Sequence, residues 1–188
     1  MIKNVFLYIT KFVVIFCILY FVSIAVIGLS FPDGYYSPFI AHYLNYVDWL
    51  RASLLWGAKG LLALFSYKTY LPDKYHLLMK NGSGVNMVYS CIGYGVMSFW
   101  GALIIANKGS WKKKLLWITG GWLAIWCINV ARIAILVVAV NKRWQMPLGL
   151  DHHTWVNIVA YLLIFILIYF YDKSSQKIST KTISTKHS

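Results

Sequence analysis

The fold class this sequence predicts is an all-α integral membrane helical bundle of about four transmembrane helices, with an extracytoplasmic amphipathic helix and a short β-hairpin. Three observations predict it. First, 60% of the 188 residues are hydrophobic and 12% charged, where a soluble domain has about 45–50% and about 25%. Second, four apolar runs approach the length a bilayer demands. Third, 18 Lys and Arg stand against five acids, all of them Asp, and the short loops between the runs collect much of the surplus. A disordered chain, a collagenous chain and an ordinary soluble domain are excluded. The net charge of +13 suits either a nucleic-acid binder or a membrane protein with basic loops, and the mean hydropathy of +0.62 decides for the membrane. No nucleic-acid partner is expected. Cys17, Cys91 and Cys127 are an odd number and two lie inside apolar runs, so they do not make a disulfide framework.

The apolar runs are residues 5–29, 91–106, 115–140 and 155–171. A spanning helix needs about 20 apolar residues. The first and third runs meet that outright. The second and fourth reach it only by recruiting flanks, residues 87–90 and 151–154. The first run is too long for the core of a signal peptide and no A-x-A site follows it, so it reads as a retained anchor. Orientation follows from the basic residues of short loops. Lys108, Lys112, Lys113 and Lys114 follow the second run, Lys173, Lys177, Lys181 and Lys186 follow the fourth, and Lys3 precedes the first. Four spans put all three regions on one side, which is then cytoplasmic. Lys142 and Arg143 fall on the other side against this trend, and Lys11 in the first span snorkels back to the inner surface.

Residues 1–30 are thus an N-terminal anchor. Residues 31–90 are an extracytoplasmic segment, 91–171 a three-span core, and 172–188 a basic cytoplasmic tail of Ser, Thr and Lys expected to be disordered. Within the outer segment, residues 39–67 carry Leu44, Val47, Leu50, Leu54, Leu55 and Leu62 at helical steps. Asn45, Asp48, Arg51 and Lys59 fall between them, giving an amphipathic helix with a polar face. Two β-prone runs, 75–79 and 85–89, flank Asn81-Gly82-Ser83-Gly84 and predict a hairpin that delivers the chain into Cys91.

Several polar residues stand where a bilayer does not welcome them. Arg132 lies eight residues before Val140, roughly 12 Å below the outer end of its span, at a cost of about 2.5–3.5 kcal/mol on insertion scales. Such a residue faces the bundle interior with a task, or it clamps helices or snorkels. Asn129 shares its face. Cys91 opens the second span, in Ser90-Cys91-Ile92-Gly93. A thiol at a helix N-terminus gains thiolate character from the dipole, while a free Cys in an apolar run is otherwise a small buried hydrophobe. His152 and His153 precede the fourth span, behind Asp151. One imidazole can accept a proton from Cys91 and Asp151 can orient it. Adjacent helical positions point about 100° apart and no zinc-like cluster of thiolates or carboxylates is spaced nearby, so neither a metal nor a cofactor is expected. His42 and His76 have no evident partner in the sequence. The loop-charge rule, applied without regard to chemistry, gathers the thiol, imidazole and guanidinium on one side of the membrane. A nucleophile, a base and a cation for a developing oxyanion are the parts of acyl transfer.

Cys91 shortly before Gly93, Asn129-Val130-Ala131-Arg132 in a later span, and Asp151-His152-His153 before the next occur in that order. The set, over residues 85–171, resembles the exosortase/archaeosortase family of membrane cysteine transpeptidases, and in particular its short Bacteroidetes-type members. Many members of that family have about twice as many spans as the four read here. The resemblance implies that Cys91 attacks and that His152 or His153 serves as base, with spacing to Asn157 and Tyr161 favouring His152. It implies that Arg132 steadies the oxyanion or holds the substrate. The implied partners are secreted proteins ending in a short motif, a hydrophobic helix and a basic tail, with an acceptor on lipid or polysaccharide. The implied location is the inner membrane, with the site facing the periplasm. Other readings are a small transporter or channel subunit with Arg132 and Asn129 on an anion path, and a non-catalytic accessory protein.

Overall fold

The computed structural model describes residues 2–31, 35–80, 82–144 and 151–184. Residues 145–150, read from the sequence as part of an outer loop, Asn81 of the predicted turn, and Lys186 with the end of the basic tail lie outside the described residues. Five α-helices and one small antiparallel sheet run in the order α1 (Ile2–Leu29), α2 (Tyr46–Leu64), β1 (Thr69–Tyr70), β2 (His76–Met79), β3 (Gly84–Asn86), α3 (Tyr94–Ala106), α4 (Trp111–Asn141) and α5 (His152–Ser184).

Among the described residues three helical stretches are long and apolar enough to cross a membrane: Val5–Leu29, Trp111–Asn141 and His152–Lys173. The predicted second span departs from this. Residues 87–90 do not extend it. The chain leaves β3, makes a tight turn at Tyr89–Cys91, and passes through Gly93 at φ +84° before α3 begins at Tyr94. The helix has 13 residues, about 20 Å at 1.5 Å per residue, against a hydrocarbon core of about 30 Å. Among the described residues the expected count of four full spans is therefore not confirmed: three helices are long enough, and Tyr94–Ala106 is a shorter apolar helix. Cys91 stands in the turn ahead of α3, not at its first helical position. At the other end, α5 continues as helix to Ser184, into the stretch whose composition reads as a disordered tail.

The predicted helix over 39–67 is divided. A single π-helical turn, Ile40–Leu44, ends at Asn45, whose side-chain oxygen accepts the Asp48 amide at 3.1 Å and so starts α2 afresh. Val47, Leu54, Leu55 and Leu62 are buried as their spacing requires, but Leu44 is exposed. Arg51 and Asn45, placed on the polar face by the sequence pattern, are buried, Arg51 at 1% exposure. The reason is tertiary. The sheet folds over that side of α2, and the Arg51 guanidinium lies 4.5 Å from the Tyr75 ring and 4.1 Å from the Tyr89 ring, paired with Asp48 at 3.1 Å. The hairpin forms with His76 opposite Asn86 and Leu77 opposite Val85, and β1 adds a third strand on the β2 side.

Two cores hold the bundle. One joins α2 (Leu54, Leu55, Leu62), the sheet (Leu77), Met87, Ile92 and the C-terminal half of α4 (Ile133, Val137), with Cys91 at its edge. Gly57 makes this packing possible, since a Cβ there would fall 2.8 Å from Val130 and 2.9 Å from Trp126. The second core, at the opposite end, packs Trp100 and Ile104 of α3 with Ile118 and Ile125 of α4 and Tyr171 of α5. Phe12 meets Phe99 and Tyr20 stacks on Tyr94, so α1 and α3 run antiparallel. Asn107 donates to the Tyr171 hydroxyl at 3.0 Å. The lysines of the α3–α4 connection and Lys173 therefore share one end of the bundle. Cys91 and the start of α5 share the other.

Candidate active site

Each site residue is delivered by a different device. The sheet is moored to α4 where Asn141, its last helical residue, accepts the Ser83 amide and donates to the Ser83 carbonyl, both at 2.8 Å. From there the chain runs off β3 into the turn at Tyr89–Cys91, in which the Cys91 amide donates to the Val88 carbonyl at 2.9 Å. The turn is held from beneath by two residues one helical turn apart on α4. Asn129, buried, donates to the Ile92 carbonyl at 3.4 Å, and Arg132 Nη2 donates to the Cys91 carbonyl at 2.6 Å. The Asn-x-x-Arg spacing thus grips consecutive carbonyls of the cysteine loop.

Gly93 is the hinge of that grip. Its φ of +84° is one that a side chain resists, and a Cβ would fall 2.4 Å from Asn129 Nδ2. Gly93→Ala is expected to destabilise the protein by about 1–3 kcal/mol. The measurement is thermal unfolding in detergent. Adding Asn129→Ala removes the clash but not the strain at φ, so the double variant should cost less than the sum of the two single changes.

At the start of α5 the structure separates the two histidines. His153 Nε2 stands 3.7 Å from Cys91 Sγ, whereas His152 Nε2 bonds the Trp144 carbonyl at 2.7 Å. The spacing favours His152, whereas the structure brings His153 to the thiol. Asp151, expected to orient an imidazole, instead caps α5. Its carboxylate accepts the His153 and Thr154 amides at 3.1 and 3.3 Å and the Thr154 hydroxyl. The Thr154 hydroxyl, and then the two amides, hold the Asp151 carboxyl below the usual carboxylate range. A depressed value means that the cap is intact at neutral pH and fails only as acidity carries the group through its lowered pKa.

Arg132 Nη1 also donates to Asn157 Oδ1 at 3.0 Å. Asn157 is four residues beyond His153, on the same face of α5. Sequence reasoning used Asn157 only as a spacing marker and gave it no partner. The one available signal was that face, shared with His153. Cys91 is buried at 9% exposure, while His153 is exposed. Cys17 is half-buried on α1 and Cys127 exposed on α4. Among the described residues no cluster of His, Cys, Asp and Glu is arranged to hold a metal ion.

Fold and site together define a polytopic membrane protein with a thiol–imidazole pair at one end of its bundle, backed by an intramembrane arginine. The transmembrane exosortase family matches residues 9–170, and the chain belongs to that family. Archaeosortase A of Natronomonas pharaonis is 29% identical over 79 residues, which are 39% of this chain and 25% of that protein, so the chain spans about a quarter of the curated relative it matches. No solved structure matches.

Proposed function

We propose that this chain is a membrane cysteine transpeptidase that removes the C-terminal sorting signal of secreted proteins and passes the remainder to a surface acceptor. The observation that carries the reading is the 3.7 Å approach of Cys91 Sγ to His153 Nε2, beside a guanidinium bonded to the cysteine's own carbonyl. The Cys91 proton passes to His153, and the thiolate attacks the scissile carbonyl carbon. Collapse of the tetrahedral adduct breaks the C–N bond, and His153 returns the proton to the leaving amine. The thioester on Cys91 is then attacked by an amine, a hydroxyl or water, whose proton goes to His153 and on to the departing thiol. A guanidinium has five N–H groups, and Arg132 uses two in the bonds described. The others serve a developing oxyanion in a region of low dielectric.

The sidedness of the bundle supports an extracytoplasmic site. The basic loop and Lys173 lie at the end opposite Cys91 and His153, and basic short loops stay on the cytoplasmic side. The inner membrane, a site facing the periplasm, and a substrate ending in motif, hydrophobic helix and basic tail belong to the same proposal. So does an acceptor on lipid or polysaccharide. The short α3 leaves its lipid-facing flank thinner than the neighbouring spans, which suits sideways entry of a substrate helix.

The test uses a secreted protein of the same genome with such a tail, scored for tail loss by gel shift. His153→Ala is expected to slow processing by about 10²–10⁴-fold, the usual contribution of a general base. His152→Ala, which frees only the Trp144 carbonyl, is expected to cost a few-fold, about the scale of one lost hydrogen bond. The opposite ranking would overturn the assignment of the base.

A further inference from the structure

We infer that Asn157 is a positioning residue. It fixes Arg132 against the Cys91 carbonyl and thereby couples the α5 face that carries His153 to the loop that carries the thiol. The inference rests on the proposed function for its consequence, but its geometry is independent of it. The Arg132 guanidinium is strung between two acceptors, Cys91 O at 2.6 Å and Asn157 Oδ1 at 3.0 Å. The two elements that carry them also meet where Cys91 Sγ approaches His153 Nε2. At its start α5 is held by His152 on the Trp144 carbonyl, and at its far end by Tyr171, which accepts from Asn107; the stretch that carries His153 lies near the first of these. Rotation by one residue would exchange His153 for a neighbour about 100° away. Asn157, one turn below His153 and on its face, is placed to oppose that rotation. Arg132 also has a choice to lose. A half-buried guanidinium on a long, flexible stem, without its second anchor, can swing toward the open end of the bundle. Its charge would then leave the vicinity of Cys91.

A residue that acts through another should be silent once that other is disabled. The variants are Asn157→Ala, Asn157→Asp and Arg132→Lys, and the combination of the first and third, all in full-length protein carrying Cys17→Ser and Cys127→Ser. The probe is iodoacetamide, with the time course of Cys91 alkylation followed by mass spectrometry at one fixed pH. Asn157→Ala is expected to slow that alkylation profile by about threefold or more, since the attacking sulfur loses a cation held beside it. It is also expected to lower the single-turnover rate of the tail-loss assay by about 10–100-fold, the scale of a misplacement of about 1 Å, with substrate affinity unchanged within about twofold. Asn157→Asp keeps an acceptor of the same length and should restore most of the rate. In the Arg132→Lys background, Asn157→Ala should change neither readout, because a single ammonium cannot bridge both acceptors.

A wild-type profile and rate for Asn157→Ala would overturn the inference. So would a loss that multiplies with that of Arg132→Lys. If instead Cys91→Ala leaves tail loss intact, the proposed function falls, while the alkylation comparison still decides the role of Asn157. Should Asn157→Ala fail to accumulate in the membrane, Asn157→Ser, whose oxygen is too short to reach Nη1, carries the same comparison.

Discussion

Replacing Cys91 by alanine is expected to abolish removal of the sorting tail, the rate falling by about 10⁴-fold or more, as for other single nucleophile knockouts. The protein should remain folded in the membrane. The two halves of this expectation come from different atoms. The reaction needs Sγ, the atom that His153 Nε2 approaches at 3.7 Å, and alanine has no substitute for it. The loop needs only the Cys91 backbone: its amide on the Val88 carbonyl, and its own carbonyl under the Arg132 guanidinium. Both survive the change. What the fold loses is one small side chain at the edge of the core formed by α2, the sheet and α4, at a cost of about 1 kcal/mol. Cys91→Ser should be nearly as inactive, because a hydroxyl does not ionise where a thiol does. Cys17→Ala and Cys127→Ala, on α1 and on an exposed face of α4, should process at the normal rate. Thermal unfolding alongside the gel shift separates chemistry from folding. A Cys91→Ala protein that still trims its substrate would end the transpeptidase reading.

The long spans were legible because each is an unbroken apolar run, and run length is all that a bilayer asks of a helix. The same measure misjudged α3. Residues 91–106 are as apolar as a span, and hydropathy does not register that Gly93 leaves helical geometry at φ +84°. What accompanies that turn is Asn129, 36 positions later, gripping the Ile92 carbonyl and filling the space where a Cβ at Gly93 would stand. The paired strands β2 and β3 followed from two β-prone runs around a Gly-rich turn, but the two residues of β1 were too few to show any period. Arg51 was misjudged for a related reason. Helical periodicity shows which side of α2 it is on, not that Tyr75 and Tyr89 of the sheet segment would cover that side. At the site, residue chemistry singled out Cys91, Asn129, Arg132 and the histidine pair. It did not resolve His152 from His153, because neighbours on a helix differ only in rotation about its axis. That rotation is set by tertiary partners, Trp144 for one ring and Cys91 for the other.

Arg132→Ala should be the most damaging change outside the thiol–imidazole pair, because one side chain serves two structural bonds and one charge. Its loss strands the Cys91 carbonyl and the Asn157 amide oxygen, each at about 1–3 kcal/mol where water cannot replace the donor. Under the proposed mechanism it also removes the fixed cation from the place where negative charge would develop. The expected fall in rate is about 10²–10⁴-fold, starting from the about 10²–10³ of deleting a single oxyanion donor and adding the disturbed loop, with a lower unfolding temperature. Arg132→Lys divides the effect. An ammonium keeps the charge but is a point donor on a flexible stem, unable to hold the Cys91 carbonyl and Asn157 at once. If fixing the loop is the larger part of the role, lysine should recover less than a tenth of the lost rate and only part of the lost stability, since one of the two acceptors stays unpaired. If charge alone matters, lysine should recover the rate. The geometry favours the first outcome, since both described bonds of the guanidinium go to protein acceptors. An Arg132→Ala protein that processes its substrate at the normal rate would show that the arginine only braces the bundle.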